Sequence, residues 1–494
     1  MNLETASEFI SADVSQLQPS LFDNQIAGFS IDSRTVGTGD LFFALSQEDY
    51  ERAGFNGTFA DGHDFIAGAL DAGAIAAVAR RDHVSEGTAL FDLRDRLLLV
   101  DDAIAALQTL AHRVYLAWGR PVIAITGSAG KTTTKDLTAH ILLSTGRKIL
   151  KSERNYNNGL GLPLAVLQMV SGARNPEDFE LAVLEMGMST LSHEIRRLCE
   201  ITPPDIGVEL LVAPVHLEYL HNIENIAAAK AELIEGLKPG GIAVLNSDDS
   251  FVMAMRSKHA GKVVTFGVDH IADVSASDID SSNFGRTDFV LRTPLGSARV
   301  NLPLAGRHNL LNALAGAAVA SCLDIDADLI AAALATVNPP KMRGEVIEFA
   351  DGFTVVDDSY NSNPRSLESM VRTLAETSAK GRRRLVIAGE MLELGADSGQ
   401  MHREAGGLVA KLGIEGLWGV RGFGQEFVNG AISAGMAAAS TRFFENSDLA
   451  AEALAKAILP GDLVLVKGSR GVRVDKIVSR LKEEFRVLDI NERG

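Results

Sequence analysis

A lysine that follows a glycine-rich turn at the end of an apolar run can hold phosphate. The run Val122-Ile-Ala-Ile-Thr-Gly-Ser-Ala-Gly-Lys-Thr-Thr-Thr134 has that order. Gly127 and Gly130 let the backbone N–H groups of Gly127, Ser128, Ala129 and Gly130 curl around an anion. A helix opening at Lys131 adds the partial positive charge of its N-terminus. Lys131 then reaches the outer phosphates and the Thr132 hydroxyl can ligate Mg²⁺, with Thr133 following in the same turn. The general G-x-x-x-x-G-K spacing has a glycine where Ile125 stands, so this is a variant phosphate loop. The chemistry is nucleotide binding and phosphoryl transfer.

Three further side chains could serve that chemistry. Glu185 ends the run Leu181-Ala-Val-Leu-Glu-Met-Gly187, and a carboxylate at the C-terminal end of a buried strand lies where open α/β sheets bind ligands. It suits a divalent cation. His216, in Ala213-Pro-Val-His-Leu-Glu218, follows an apolar run at Val208–Val212, and a lone histidine there is more often structural. Lys230 lies in Ile226-Ala-Ala-Ala-Lys-Ala-Glu232, where pattern alone predicts a surface lysine on an Ala-rich helix.

The elements that must position these residues alternate from about Pro121 onward. Strands are expected at Val122–Thr126, Leu181–Met186, Gly241–Asn246, Lys262–Phe266, Phe353–Val356, Leu385–Ala388 and Leu463–Val466. Several are continuous apolar runs, which suits strands covered on both faces of a parallel sheet. Helices fall between them. Asn363-Pro364 is a cap and first-turn pair, after which Leu367, Met370, Val371 and Leu374 recur at helical spacing. The fold class is α/β in three domains, a chain of 494 residues being too long for one core. A smaller N-terminal α/β unit spans residues 1–100, and a central doubly wound sheet with the phosphate loop spans 101–340. A Rossmann-like α/β unit spans 341–494, with the break near Asn338-Pro339-Pro340, where proline disfavours a continuing helix.

The net charge of −17 argues against broad nucleic-acid or anionic-membrane binding. Only Cys199 and Cys322 are present, far apart, so a disulfide framework is not expected and a reducing cytoplasm fits. The N-terminus lacks the basic and apolar regions of a signal peptide, and no segment has the ~18 consecutive apolar residues of a membrane span. A cytoplasmic protein without stable membrane insertion is expected.

Taken together, these residues resemble the Mur ligase family over roughly residues 30 to 476, with several separate motifs in the family's order. Ile31-Asp-Ser-Arg-Thr-Val-Gly-Thr-Gly-Asp-Leu-Phe-Phe-Ala-Leu45 and Asp61-Gly-His-Asp-Phe65 resemble the module that holds the UDP-sugar. Thr126-Gly-Ser-Ala-Gly-Lys-Thr-Thr133 resembles the ATP site, with Ala129 where Asn is common, and Asn155-Tyr-Asn-Asn158 and Gly161-Leu-Pro163 follow. Asn246 with Asp248-Asp249, Gly306-Arg-His-Asn309 and Arg343 fall on nucleotide-domain positions. Val356-Asp-Asp-Ser-Tyr-Asn-Ser-Asn-Pro364, Gly389-Glu-Met-Leu-Glu-Leu-Gly395 and Val466-Lys-Gly-Ser-Arg-Gly471 resemble the branch that adds D-alanyl-D-alanine. Leu211 and Ala213 stand where the family usually has Asn and Gly, and Lys341-Met342 where Pro-Gly is frequent.

The resemblance implies an ATP- and Mg²⁺-dependent ligase of peptidoglycan precursor synthesis. It would join the carboxylate of UDP-N-acetylmuramoyl-tripeptide to the amine of D-Ala-D-Ala through an acyl phosphate, acting as a monomer. It implies Mg²⁺ binding by Thr132, Glu185, His216 and Lys230, the lysine as a carbamate, and catalytic roles for Lys131, Lys230, His216 and Arg343. Nucleotide contacts would come from residues 127–133 and from Asn246, Asn309, Arg343 and Asp358. Substrate contacts would come from Asp32, Ser33, Arg34, Asn155, Asn158, Tyr360 and Asn361, although the first three alone read as a capped turn. The competing readings are a diamino-acid-adding or folate-type ligase and a regulatory nucleotide-binding module without turnover. The Asp-Ser-Tyr-Asn run counts against the first, Thr132 after Gly-Lys against the second, and the intact Glu185, His216 and Lys230 against the third.

Overall fold

Apolar runs that cannot be solvated on either face need helices on both, and this chain supplies them three times over. The computed structural model describes residues 1–55, 57–153, 156–188, 193–215, 217–282, 285–338, 341–377 and 382–488. His216, Asn155 and the Pro339-Pro340 break therefore lie outside the described residues. Three sheets carry the architecture, with four, nine and six strands.

The first sheet is parallel throughout, in the order Phe29–Ser30, Leu41–Phe43, Ala76–Arg80, Leu97–Val100. Its strands are so short that their periodicity is hard to read from sequence. One face joins the helix Ala103–Trp118 and the segment Leu162–Val170 in a single apolar cluster, so the first sheet and the central sheet share a core.

The central sheet runs Gly296–Leu302, Thr287–Thr293, Val274–Asp280, Lys262–Gly267, Ile242–Asn246, Ile206–Glu209, Val122–Thr126, Leu181–Glu185, Ile149–Lys151. The strands from Val274–Asp280 to Ile149–Lys151 pair in parallel, and the two at the far edge are antiparallel. Val122–Thr126 sits between Leu181–Glu185 and Ile206–Glu209, which delivers Gly127 and the ends of both neighbours to one edge. Ile123 and Ile125 pack under the helices Lys131–Ser144 and Arg307–Cys322, while Val122 and Ala124 pack on the opposite face. Each such fully buried aliphatic side chain contributes roughly 1.5–3 kcal/mol of apolar transfer.

The third sheet runs Glu345–Glu348, Thr354–Asp358, Leu463–Lys467, Arg384–Gly389, Gly416–Val420, Thr441–Phe444, antiparallel only at its first pair. Separate apolar clusters cover its two faces. The helix Pro364–Glu376 begins where the sequence placed it: the Asn363 side chain accepts from Ser366 N at 2.9 Å, and Ser366 Oγ accepts from Asn363 N at 3.1 Å. Its Leu367, Met370, Val371 and Leu374 are buried. Among the described residues no helix is long and apolar enough to cross a membrane.

Candidate active site

The strand Val122–Thr126 is buried along its length and runs straight into the turn. Gly127 and Gly130 both have positive φ, +152° and +85°, where a side chain is strained. A Cβ on Gly130 would also collide with Asn312 Oδ1, and one on Gly127 would lie 2.8 Å from Leu210 Cβ. The helix Lys131–Ser144 then opens with no side-chain cap, leaving its first N–H groups available to an anion. Lys131 Nζ folds back on Gly127 O at 3.0 Å. Burial holds its ammonium below the usual lysine value, helped by the Arg343 charge and opposed by Glu185 and Glu209.

The strand ends beside the loop bring acids to it. Glu185, 2% exposed, accepts from Thr132 Oγ1 at 2.8 Å on one oxygen and from Asn157 Nδ2 at 2.8 Å on the other. Thr132 and Glu185 thus stand together as expected, and Asn157, quoted within a motif but given no role by the sequence, completes the group. Lys230 is 2% exposed, not at the surface where its helical pattern put it. Burial, with repulsion from Lys131, brings its ammonium down to about 7, against a smaller pull from Glu209. The helix Ile223–Glu235 lies on the sheet with this lysine turned inward, which an Ala-rich pattern could not reveal because alanine is tolerated on either face.

Glu209 is a second surprise. It ends the strand Ile206–Glu209 opposite Thr126, and it is fully buried with no hydrogen-bond partner for either carboxylate oxygen among the described residues. Burial, assisted by the Asp249 charge and opposed by Lys230 and Lys131, pushes it up to about 8. A charged residue inside the otherwise apolar run Val208–Val212 was the available signal.

Across from the loop, a cavity of about 770 Å³ is shared with the third sheet's residues. Lys131 and Thr132 line it on one side, and Arg343, Asp358, Tyr360 and Asn361 on the other. The Arg343 guanidinium stacks 3.9 Å from the Tyr360 ring centre. Asp358 accepts from Lys467 Nζ at 2.6 Å, and the same ammonium donates to Asn361 O at 2.9 Å. Lys467 fixes this loop and was not singled out by the sequence. Asn246 and Asn309 also line the cavity, with their Nδ2 groups committed to Leu210 O at 2.7 Å and Ala305 O at 2.8 Å. His308 lines it too, its ring 3.0 Å from Ser369 Oγ and its pKa held at about 4 by burial.

Among the described residues, Asp32, Ser33, Arg34 and Asn158 do not line this cavity. Asp32 caps the short turn Ser33–Thr35 and takes both Arg34 Nε at 2.8 Å and Arg34 Nη2 at 2.7 Å, so locally the trio forms a capped turn. Asn158 Oδ1 accepts from Gly161 N at 2.8 Å, starting the helix Gly161–Leu167. Asp61, His63 and His83 come within 4.8 Å of one another, but His63 spends both ring nitrogens, on Asp61 Oδ1 at 2.6 Å and Arg80 N at 2.9 Å. That histidine is a satisfied structural group.

Residues 125–320 match the Mur ligase middle domain, and residues 342–470 match the Mur ligase glutamate ligase domain. The chain is 32% identical to the UDP-N-acetylmuramoyl-tripeptide–D-alanyl-D-alanine ligase of Bacillus subtilis (strain 168), covering 93% of each chain. It is 32% identical to the ligase of the same name from Escherichia coli (strain K12), covering 96% of this chain and 99% of that one. Among solved structures, MurF from Acinetobacter baumannii superposes with a TM-score of 0.82 at 27% identity, covering 98% of this chain and 99% of that one. MurF ligase from Thermotoga maritima in complex with ADP gives 0.77 at 27% identity, covering 96% and 98%.

Proposed function

The chain belongs to the Mur ligase family, and we propose that it uses ATP to join the carboxylate of UDP-N-acetylmuramoyl-tripeptide to the amine of D-alanyl-D-alanine. It is an ATP-dependent ligase forming a C–N bond in peptidoglycan synthesis, and its relatives are named as ligases of UDP-N-acetylmuramoyl-tripeptide and D-alanyl-D-alanine. One observation supports the mechanism above all. Lys131 and Thr132 of the central sheet face Arg343, Asp358 and Tyr360 across one cavity, so a nucleotide bound by the loop is also within reach of the third domain.

A carboxylate does not acylate an amine at neutral pH because its oxygen is a poor leaving group. Attack of that oxygen on the γ-phosphorus, with cleavage of the bond to the β-phosphate bridge, makes an acyl phosphate that leaves well. Little covalent work falls to the protein, so positioning and charge neutralisation carry the step. Residues 127–133 cradle the phosphates with backbone N–H groups, and Lys131 steadies the group in flight. Arg343, Asn246, Asn309 and Asp358 contact the nucleotide. The amine then attacks the acyl carbon and phosphate departs, while the third domain keeps water from the acyl phosphate.

The donor set fits Mg²⁺: a buried carboxylate, a hydroxyl and a buried lysine whose ammonium is disfavoured by burial. Thr132, Glu185, His216 and Lys230 would hold it, and when bound it supplies positive charge to the phosphates. Lys230 serves as a carbamate: CO₂ adds to the neutral amine with loss of one proton, which turns a cation into an oxygen ligand. Asp32, Ser33 and Arg34 take the UDP end, and Asn155, Asn158, Tyr360 and Asn361 the peptide. The division 1–100, 101–340 and 341–494 follows these roles.

The test is phosphate release with components omitted singly. Release is expected when ATP, Mg²⁺, the UDP-muramoyl-tripeptide and D-Ala-D-Ala are all present. A single free amino acid replacing the dipeptide at equal kcat/KM would sink the branch assignment.

A further inference from the structure

Arg365 makes the most informative contact between the central and third sheets. It follows Pro364 in the first turn of the helix Pro364–Glu376, directly after the loop carrying Asp358, Tyr360 and Asn361. Its guanidinium leaves that domain. Nη1 donates to Asp249 Oδ2 at 3.1 Å and approaches Val212 O at 3.4 Å, both in the central domain.

Asp249 is already occupied, and the occupation makes the contact meaningful. Its side chain is 4% exposed. Oδ1 caps the helix Ser250–Ala254, accepting from Phe251 N at 3.0 Å and Val252 N at 3.1 Å, and Oδ2 accepts from Val212 N at 3.1 Å. Arg365 thus grips both polar groups of the Val212 backbone, the carbonyl directly and the N–H through Asp249. The neighbouring residues are held from the other side by the phosphate loop. Ser128 N donates to Leu211 O at 2.8 Å, Ala213 N donates to Ser128 Oγ at 2.9 Å, and Ser128 Oγ donates to Ala213 O at 3.1 Å. The strip Leu211–Ala213 is therefore clamped between the phosphate loop and a cation from the third domain, and the next few residues lead to His216.

We propose that Arg365 is a positioning residue that couples the seating of the third domain to the backbone strip Leu211–Ala213 beside the phosphate loop. The proposal rests on the reading above that ATP occupies the shared cavity. When the third domain seats, the strip is fixed. When it leaves, Asp249 retains its backbone partners, so the central domain stays folded, while the strip loses the cation that held the Val212 carbonyl and steadied the carboxylate on its N–H. Without Arg365, Asp249 would still have three N–H donors, so the carboxylate does not depend on the arginine for its hydrogen bonds, and the arginine side chain is half exposed at the cavity edge.

Three full-length variants test this: Arg365→Met, which keeps stem packing without the cation, Arg365→Lys, and Asp249→Asn, which keeps the capping oxygen. Binding of a non-hydrolysable ATP analogue to the unaltered chain is measured first, and failure there overturns the nucleotide reading and, with it, the coupling proposed for Arg365. With binding intact, Arg365→Met is expected to lower kcat about tenfold with KM for ATP within about twofold. It is also expected to speed amide hydrogen exchange at residues 211–213 in the analogue complex. Arg365→Lys should recover part of both, and Arg365→Met should have little further effect on an Asp249→Asn background. Unchanged kcat and exchange in Arg365→Met would overturn the proposal. So would a rise in KM for ATP with kcat preserved, since the arginine would then be a nucleotide contact.

Discussion

Lys230 and Glu209 are buried ionisable groups of the central domain that pull on each other, and their chemistry is open to measurement. Lys230 loses its ammonium readily because burial and Lys131 both disfavour it, which is the form that can take up CO₂. Lys230→Ala should therefore lose activity that acetate or propionate partly restores, because the missing element is a carboxylate oxygen. Restoration by alkylamines in CO₂-free buffer would show the free amine to be the working group. Glu209 runs in the opposite sense. Its folded-state value of about 8 stands above 4.5, so between those limits the folded chain holds a proton the unfolded chain has released. Stability falls as pH rises through that window, by on the order of a few kcal/mol. Lys230 opposes this only from about 7 up to 10.5, where the unfolded chain holds the extra proton. Glu209→Ile should raise the melting temperature, and more at pH 8 than at pH 5. A gain independent of pH would mean that the carboxyl group does not titrate as its burial requires. Lys131→Ala should cut kcat by roughly 10²–10³, the usual loss on removing a preorganised charge from a transition state.

At the level of elements, local signals and packing demands agree most closely at the helix Pro364–Glu376. Its Asn363–Ser366 capping box satisfies two backbone groups, and Pro364 stands where no N–H is required. Asn363→Ala should destabilise the third domain by about 1 kcal/mol, read as a shift in the urea midpoint of Trp418 fluorescence. Because this helix also carries Arg365 and Ser369 to the central domain, the same variant should lower kcat/KM for ATP turnover. The seven expected strands, several of them continuous apolar runs, all formed within a residue or two of their expected ends. Those not foreseen are short or alternate, as in Val274-Ser-Ala-Ser-Asp-Ile-Asp280, or contain glycines, as in Gly416-Leu-Trp-Gly-Val420. Gly419 is required there by the close approach of Gly424, a contact the sequence gives no way to anticipate.

Across the whole molecule, the third sheet's two cores are separate from the core that joins the first and central sheets. Trp118 belongs to the shared core, its indole donating to Phe179 O at 2.9 Å, and Trp418 belongs to the third domain. Single-tryptophan variants, Trp118→Phe and Trp418→Phe, should therefore give denaturation curves with different midpoints. A non-hydrolysable ATP analogue with Mg²⁺ should draw the midpoints together, since ligand bound between the domains stabilises both. Coincident midpoints without ligand would show that the domains unfold as one unit.

What the sequence determined by itself was anything written in local chemistry: the strand–glycine–lysine order of the phosphate loop, the capped helix at Asn363, and the apolar strands that need cover on both faces. These follow from backbone sterics and from period, which act within a few residues. Glu185 and Thr132 could be placed at one sheet edge because parallel strands deliver their C-terminal ends there. Lys230, Glu209, Asn157, Lys467 and Arg365 could not. Each takes its character from a partner tens or hundreds of residues away: an apolar layer that strips water from a charge, or a carboxylate across a domain boundary. Desolvation and long-range pairing depend on what surrounds a side chain, and only the tertiary structure decides that.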